Sequence, residues 1–513
     1  MYACARIYNK VRIMITNITR GDFKQVTRQQ ITQYVRRHFD FAPTSDQATA
    51  IDTFASFVSD SDDSTLMIMR GSAGTGKTTL SAAIVRAMGE MRMPVVLMAP
   101  TGRAAKVFSL NAGQPACTVH RGIYRQKTVE GAFGIAPNKH FRTLFIVDEA
   151  SMIATGGMGD GVFGTGCLLD DLVQYVSSGR GCRLMLVGDK AQLPPVGELE
   201  SPALSTSHMS GYGMRVYDCT LDEVLRQSGA SGILYNATAI RRMATGDAEL
   251  MLPKVRFCGF ADIVNVPGDE LIESLATSYA QVGMDDTMVV TRSNKRANVF
   301  NNGIRATVLG REETLTSGDW LMVVKNNYYW TAEEERKARE QKMSLSLPPF
   351  IANGDRAVVE RVRNMRQLYG FTFADMWLRF PDYDGCELQV TALTDTLAAE
   401  APSLTHEQSR QLFESVLEDY ADVPTKAARM KKLREDPYFN AMQVKYAYAV
   451  TCHKAQGGQW SHVYVDQGYM TEEMLTPDYY RWLYTAFTRA TQKLFLVNWP
   501  KEQTQAELTA TNN

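Results

Sequence analysis

The stretch Leu66-Met67-Ile68-Met69-Arg70-Gly71-Ser72-Ala73-Gly74-Thr75-Gly76-Lys77-Thr78-Thr79-Leu80 governs how the rest of the chain is read. Its first apolar residues have the length and character of a buried strand. A glycine-rich loop follows, and Thr79 to Met88 has the pattern of a helix. Gly71 to Thr78 completes G-x-x-x-x-G-K-[ST]. Gly71, Gly74 and Gly76 let the backbone turn its N–H groups toward an anion. The positive end of the helix adds to that field. In such a loop Lys77 reaches the β- and γ-phosphates of a nucleotide, and the Thr78 hydroxyl ligates Mg²⁺. The alternative on these residues alone is an ordinary strand–turn–helix corner.

The surrounding chain fits a multidomain enzyme. Its 513 residues are too many for one core and imply two to four domains. With 45% hydrophobic and 22% charged residues it does not read as disordered. No apolar run approaches the length that spans a bilayer. Arg6, Lys10 and Arg12 break up the N-terminal apolar residues, so no signal-peptide core is expected. The eight cysteines are scattered, with no C-x-x-C pair. Reduced thiols, a cytoplasmic location and no zinc or iron–sulfur site are expected. The net charge of −1 carries no nucleic-acid signature. Locally, Arg103, Lys106, Arg121, Arg125, Lys127, Lys139 and Arg142 face only Glu130. Such a stripe suits a phosphate backbone or, equally, a solvated face.

Residues 1–42 read as a strand (Val11 to Ile15) and a basic helix (Phe23 to Phe39) with no chemistry. Gln47, just ahead of the phosphate loop, has an amide able to pair with an adenine edge. Val95 to Ala99 is a second buried strand, with Pro100, Thr101 and Arg103 at its exit, where doubly wound sheets collect ligands. His120 has the common fate of an interior histidine as its alternative. Residues 122–142 read as a small hairpin. Leu144 to Val147 is a third strand ending in Asp148 and Glu149, one carboxylate for Mg²⁺ and one to polarise water. Leu184 to Val187 is a fourth, with Gln192 at its exit in a place to sense a γ-phosphate or orient water. A second α/β region begins near Tyr217. Gly318 to Trp330 reads as strands, Thr331 to Ser344 as a charged helical insert, and the following strand-rich stretch as a small β-barrel. Leu397 to Arg434 reads as charged helix, and the α/β pattern returns at Tyr446. There Arg489 is either an arginine finger reaching the nucleotide of the first domain or a surface-paired arginine.

The ordered set Gln47, GSAGTGKTT, APTGRAA, TVH, VDEAS, GDKAQLPPVG, LRQ, VTCHKAQG and YTAFTRA resembles the superfamily 1B DNA helicases, in particular the RecD-like group, with Dda-type phage enzymes close. The likeness spans roughly residues 43–500. It implies two RecA-like domains with ATP and Mg²⁺ between them, the first with a hairpin insertion and the second with an SH3-like barrel and helices. By the same likeness Lys77, Asp148, Glu149, Gln192, Arg226 and Arg489 are catalytic, with Thr78 and Asp148 on the metal. Gln47, Gly71, Ser72, Ala73, Gly74, Thr75, Gly76, Lys77, Thr78, Thr79 and Gly458 form the ATP site. Pro100, Thr101, Arg103, His120, Thr451 and His453 face DNA.

The expected boundaries are 1–42 for the N-terminal extension and 43–215 for the first domain. The second domain takes 216–320 and 445–513, with 321–444 inserted. The activity implied is ATP-driven 5′-to-3′ travel on single-stranded DNA and unwinding of tailed duplex, by a monomer. The alternatives are a motor subunit with a protein partner in DNA repair or recombination, and a translocase that does not unwind. Two features depart from the RecD pattern. Gln459 stands where RecD proteins carry Glu, which leans toward the Dda-like relatives. The charged insert separates Asn326-Asn327-Tyr328 from Asn353-Gly354-Asp355, a place for a partner or duplex contact. Pro381-Asp382 with Glu387-Leu388-Gln389 is a nuclease-like pattern that lacks its lysine.

Overall fold

A computed structural model describes residues 27–126, 133–156, 164–223, 231–249, 251–341, 347–348 and 350–505. The expected strand at Val11 to Ile15 lies outside them. The extension contributes α1 (Arg28–Arg37), whose Ile31 and Val35 are buried against the first lobe. α2 (Ser45–Ser59) follows.

The first lobe is a six-stranded parallel sheet in the order β3-β2-β6-β7-β1-β8. Its strands are β1 (Thr65–Gly71), β2 (Val95–Ala99), β3 (Ala116–Thr118), β6 (Leu144–Val147), β7 (Arg183–Gly188) and β8 (Arg215–Leu221). The central strands are continuous apolar runs because α2, α3 (Lys77–Glu90), α4 (Gly102–Ala112) and α5 (Leu168–Ser177) cover both faces. β4 (Tyr124–Gln126) and β5 (Phe133–Ile135) form the expected antiparallel hairpin.

The second lobe is a five-stranded parallel sheet in the order β16-β10-β17-β18-β9. It is built from β9 (Ile263–Val266), β10 (Thr287–Thr291), β16 (Ala449–Thr451), β17 (Trp460–Asp466) and β18 (Ala490–Val497). Its helices include α6 (Gly232–Ala244), α7 (Leu271–Val282) and α8 (Asn294–Gly303).

Between β10 and β16 the chain builds a closed barrel of β11 (Trp320–Val323), β12 (Arg356–Leu368), β13 (Phe371–Phe380), β14 (Cys386–Leu393) and β15 (Met442–Tyr446). This region also carries α9 (Tyr329–Glu340), α10 (His406–Glu418) and α11 (Lys426–Arg434). The last long helix, α12 (Pro477–Phe487), belongs to the second lobe. The fold is therefore α/β with two RecA-like lobes and an inserted barrel.

Three expectations are corrected. The start of the second domain at residue 216 cuts through β8, which pairs with β1 from Thr65↔Arg215 to Gly71↔Leu221. The barrel takes Trp320 at one end and runs to Tyr446 at the other, because β11 and β15 pair with each other. Tyr329 and Trp330 open α9 instead of ending a strand. No helix among the described residues is long and apolar enough to cross a membrane.

Candidate nucleotide site between the lobes

β1 delivers the phosphate loop at the C-terminal edge of the first sheet. A Cβ on Gly71 would sit 2.8 Å from Thr75 Oγ1 and 3.0 Å from Leu221, so the close approach requires glycine. Gly74 and Gly76 lie at φ of 78° and 84°, which glycine adopts without strain. Thr75 Oγ1 closes the loop by donating to the Ser72 carbonyl at 2.9 Å. Lys77 Nζ donates to the carbonyls of Gly71 and Ser72 at 2.7 and 2.8 Å. Gly76 caps α3 with no side-chain oxygen, so the first N–H groups of that helix stay available to an anion.

The ends of the neighbouring strands complete this wall. Asp148 Oδ1 accepts the Glu149 N–H at 2.9 Å. Burial, and then the charge of Glu149, push the Asp148 carboxyl up to about 7. A cation beside such an acid would favour its ionised form. Glu149 has a left-handed backbone at φ 52°, a strain that non-glycine residues keep mainly at functional sites. Glu149 Oε2 and Gln192 Oε1 are buried without a hydrogen-bond partner, a costly state for polar oxygens.

The second lobe supplies the facing wall. Arg489 is 1% exposed. Its guanidinium donates to the carbonyls of Thr485 (3.0 Å) and Gly458 (3.1 Å) and to Thr488 Oγ1 (3.2 Å). Lys77, Thr78, Thr79, Asp148, Glu149, Gln192, Gly457 and Arg489 line one cavity of about 370 Å³. The donor set fits a nucleotide with Mg²⁺. Around one cavity there are an uncapped helix start, a lysine, a hydroxyl, two carboxylates, two unmatched oxygens and a buried arginine. Thr78 and Asp148 are the residues that would hold the metal.

Several side chains have other tasks than expected. Gln47 does not line the cavity. Its Nε2 donates to the Thr75 carbonyl at 2.8 Å, and its Oε1 accepts the Thr44 N–H at 3.0 Å. The amide expected on an adenine edge braces the phosphate loop here. Gly458 acts through its carbonyl on Arg489, while Gly457 faces the cavity. Arg226 lies outside the described residues.

Arg103, expected to face DNA, crosses the interface between the lobes. It meets Asp382 of the barrel at 3.3 Å and the Gln459 carbonyl at 3.0 Å. Lys106 donates to the Pro381 carbonyl at 2.7 Å. Asp382 thus serves a contact between the lobes. Thr101 caps α4 and packs on Gly457, and Pro100 is half-buried beside it. Thr451 precedes the short helix Cys452–Ala455 without a side-chain capping bond, and His453 on that helix is exposed. His120 lies apart from these, on the wall of a larger cavity of about 840 Å³ between the hairpin base and the barrel. Burial pushes its imidazole down to about 4.

Tyr484 lies within YTAFTRA, whose sequence alone points to the arginine and carries no local signal for the tyrosine. From α12 its hydroxyl donates to Asp189 Oδ2 at 2.5 Å and accepts the Ala73 N–H of the phosphate loop at 2.9 Å. Thr485 Oγ1 accepts the Leu193 N–H at 2.9 Å, and Gln456 Nε2 donates to the Leu193 carbonyl at 2.7 Å. The loop carrying Gln192 and the phosphate loop are therefore both fastened to the helix that leads into Arg489.

Residues 43–256 match the AAA domain family and residues 446–497 the UvrD-like helicase C-terminal domain. The ATP-dependent RecD2 DNA helicase of Deinococcus radiodurans is 29% identical over 268 residues, covering 51% of this chain and 34% of that protein. The ATP-dependent DNA helicase dda of Enterobacteria phage T4 is 24% identical over 275 residues, covering 50% of this chain and 55% of that protein. The chain thus spans about a third and about half of these two relatives. A crystal structure of the Pif1 helicase from Bacteroides aligns at a TM-score of 0.42 and 15% identity, over 91% of this chain and 95% of that one.

Proposed function

This chain belongs with the RecD-like helicases of superfamily 1B, and on that premise we propose that it is a DNA-stimulated ATPase. It travels 5′-to-3′ on single-stranded DNA as a monomer and unwinds tailed duplex. The observation that carries the reading is one cavity shared by Lys77 of the phosphate loop and Arg489 of the opposite lobe. When bound, ATP with Mg²⁺ supplies the phosphoanhydride whose cleavage drives the cycle. Lys77 exchanges its two carbonyl partners for phosphate oxygens. Glu149, which lines the cavity and keeps one oxygen without a partner, takes the proton from the attacking water. Gln192 orients that water. Arg489 neutralises charge that develops at the transferred group. Tyr484 and Thr485 carry the closure to the loops they hold. Each lobe then needs only a different grip on DNA in the closed and open states for the cycle to ratchet along the strand.

Pro100, Thr101, Thr451 and His453 are the proposed DNA contacts of the two sheets, with the large cavity at His120 as the way past hairpin β4–β5. Contacts there are to phosphate and by stacking, so binding should be indifferent to sequence and sensitive to salt. The test is strand displacement on 5′- and 3′-tailed duplexes by wild type, Lys77→Ala and Glu149→Gln. Wild type should open the 5′-tailed substrate. Both variants should lose hydrolysis, Glu149→Gln by about 10²–10⁴-fold. Opening of the 3′-tailed substrate alone would reverse the polarity. Single-strand-stimulated hydrolysis that survived both substitutions would end the assignment.

A further inference from the structure

Two helices of the inserted region hold much of its charge and treat it in opposite ways. α9 pairs its own charges. Arg336 meets Glu333 and Glu340, each at 2.6 Å, while Lys337 meets Glu334 at 3.6 Å and Arg339 meets Glu335 at 3.1 Å. α11 is nine residues long, KAARMKKLR, with five cations and no acid. Among the described residues none of these cations has an ion-pair partner. Arg429 turns inward and donates to the Val423 carbonyl at 2.7 Å. Lys426, Lys431, Lys432 and Arg434 are exposed.

Of the acids around it, Glu418, Asp422 and Glu435 flank the helix without pairing any of its cations, and others are engaged elsewhere. Glu414 of α10 holds Arg410 at 2.8 Å. Asp419 accepts the Tyr369 hydroxyl at 2.5 Å. Asp436 accepts the Tyr420 hydroxyl and the N–H groups of Tyr438 and Phe439, each at 2.8 Å. Like charges three residues apart, Lys426 and Arg429, Arg429 and Lys432, Lys431 and Arg434, work against this helix. It stands because Thr425 caps it and because Leu433 and Met430 pack with Phe371, Phe373, Leu412 and Val416. The fold therefore holds four exposed cations, none of them ion-paired, on a packed helix, in a chain whose net charge is −1.

We infer that α11 grips the phosphate backbone of the duplex that lies ahead of hairpin β4–β5. The placement favours duplex over single strand. The large cavity is walled by His120 and Tyr124 at the hairpin base on one side. On the other stand His406, Ser409 and Leu412 of α10, with Phe439 and Asn440 just beyond α11. α10 lines this cavity, whereas Lys426, Lys431, Lys432 and Arg434 of α11 are exposed outside it; a single strand threading the cavity meets α10, and a duplex too wide to enter would meet α11. About 13 Å of helix spans roughly three or four phosphates of one strand.

This inference rests on the proposed DNA motor. Its test is the full chain with Lys431→Gln, Lys432→Gln and Arg434→Gln combined, beside a Lys431→Arg, Lys432→Arg control. Affinity is measured for a 5′-tailed duplex and for the tail alone across a salt series, together with single-strand-stimulated ATP hydrolysis. The triple variant should lose about tenfold or more on the tailed duplex at low salt. Its slope of log K against log salt should flatten by roughly two to three, near 0.9 per phosphate contact. Affinity for the tail alone and hydrolysis should stay unchanged, and the arginine control should bind as wild type. Unaltered duplex affinity, or an equal loss on the tail alone, would overturn the inference. Wild type that hydrolyses no ATP with single strands, while the triple variant still loses duplex affinity, would retire the motor reading and leave this one standing.

Discussion

The two walls of the nucleotide cleft are built on opposite principles. The first-lobe wall is left wanting. Glu149 Oε2 and Gln192 Oε1 are buried without partners, and the Asp148 carboxyl is pushed up to about 7 by burial and by Glu149. The second-lobe wall satisfies itself, with Arg489 held by two carbonyls and a hydroxyl of its own lobe. On the proposed reading, unmet demand is where a metal, a water and a phosphate would be received. Prior satisfaction marks a charge that is braced before it is needed, which is how preorganised groups lower a barrier without reorganising.

The sharpest way to break this contrast is Arg489→Ala. If the braced wall supplies transition-state charge, kcat for single-strand-stimulated hydrolysis should fall about 10³–10⁵-fold with KM for ATP little changed. Arg489→Lys should recover little, because an ammonium does not reproduce the planar fork. A loss under tenfold, with the fold intact by circular dichroism, would make the second wall structural only.

A smaller effect is expected from Tyr484→Phe, which keeps the ring and removes the link among Ala73, Asp189 and α12. One such bond contributes about 0.5–1.5 kcal/mol, so DNA-stimulated kcat should fall several-fold. Hydrolysis without DNA and KM for ATP should hold. Equal loss with and without DNA would show that the hydroxyl only supports the loop.

The least change is expected in stability. Asp148 binds its proton more tightly folded than unfolded, so wild type in metal-free buffer should lose stability as pH rises from about 4 to about 7. Asp148→Asn removes that proton linkage. Its melting temperature should exceed that of wild type at pH 8 by a few degrees, and the gap should close toward pH 4. Mg²⁺ with nucleotide should raise wild type alone. A gap that does not vary with pH would place the effect in packing.

What could be read from sequence was what lies at strand ends. Gly71 to Thr78, Asp148, Glu149 and Gln192 each follow a short apolar run, and a parallel sheet brings such exits to one edge. Arg489 was legible only as an alternative, because its partner wall comes from the far end of the chain. Gln47 carried a second signal that local physics decided. Thr44-x-x-Gln47 is a capping box, and the cap claims the amide oxygen. Arg103 could not be placed from sequence at all, since Asp382 reaches it from a barrel inserted in the other lobe. The boundary near residue 216 failed because β8 is an edge strand. Half-exposed on one side, it lacks the unbroken apolar run that marks its neighbours.

The barrel belongs by sequence to the second lobe, yet Asp382 and the Pro381 carbonyl hold Arg103 and Lys106 of the first. It therefore spans the seam like a strut. Parting the lobes would break those bonds, so under the proposed cycle Pro381–Tyr383 adds a modest resistance to opening that is independent of the nucleotide.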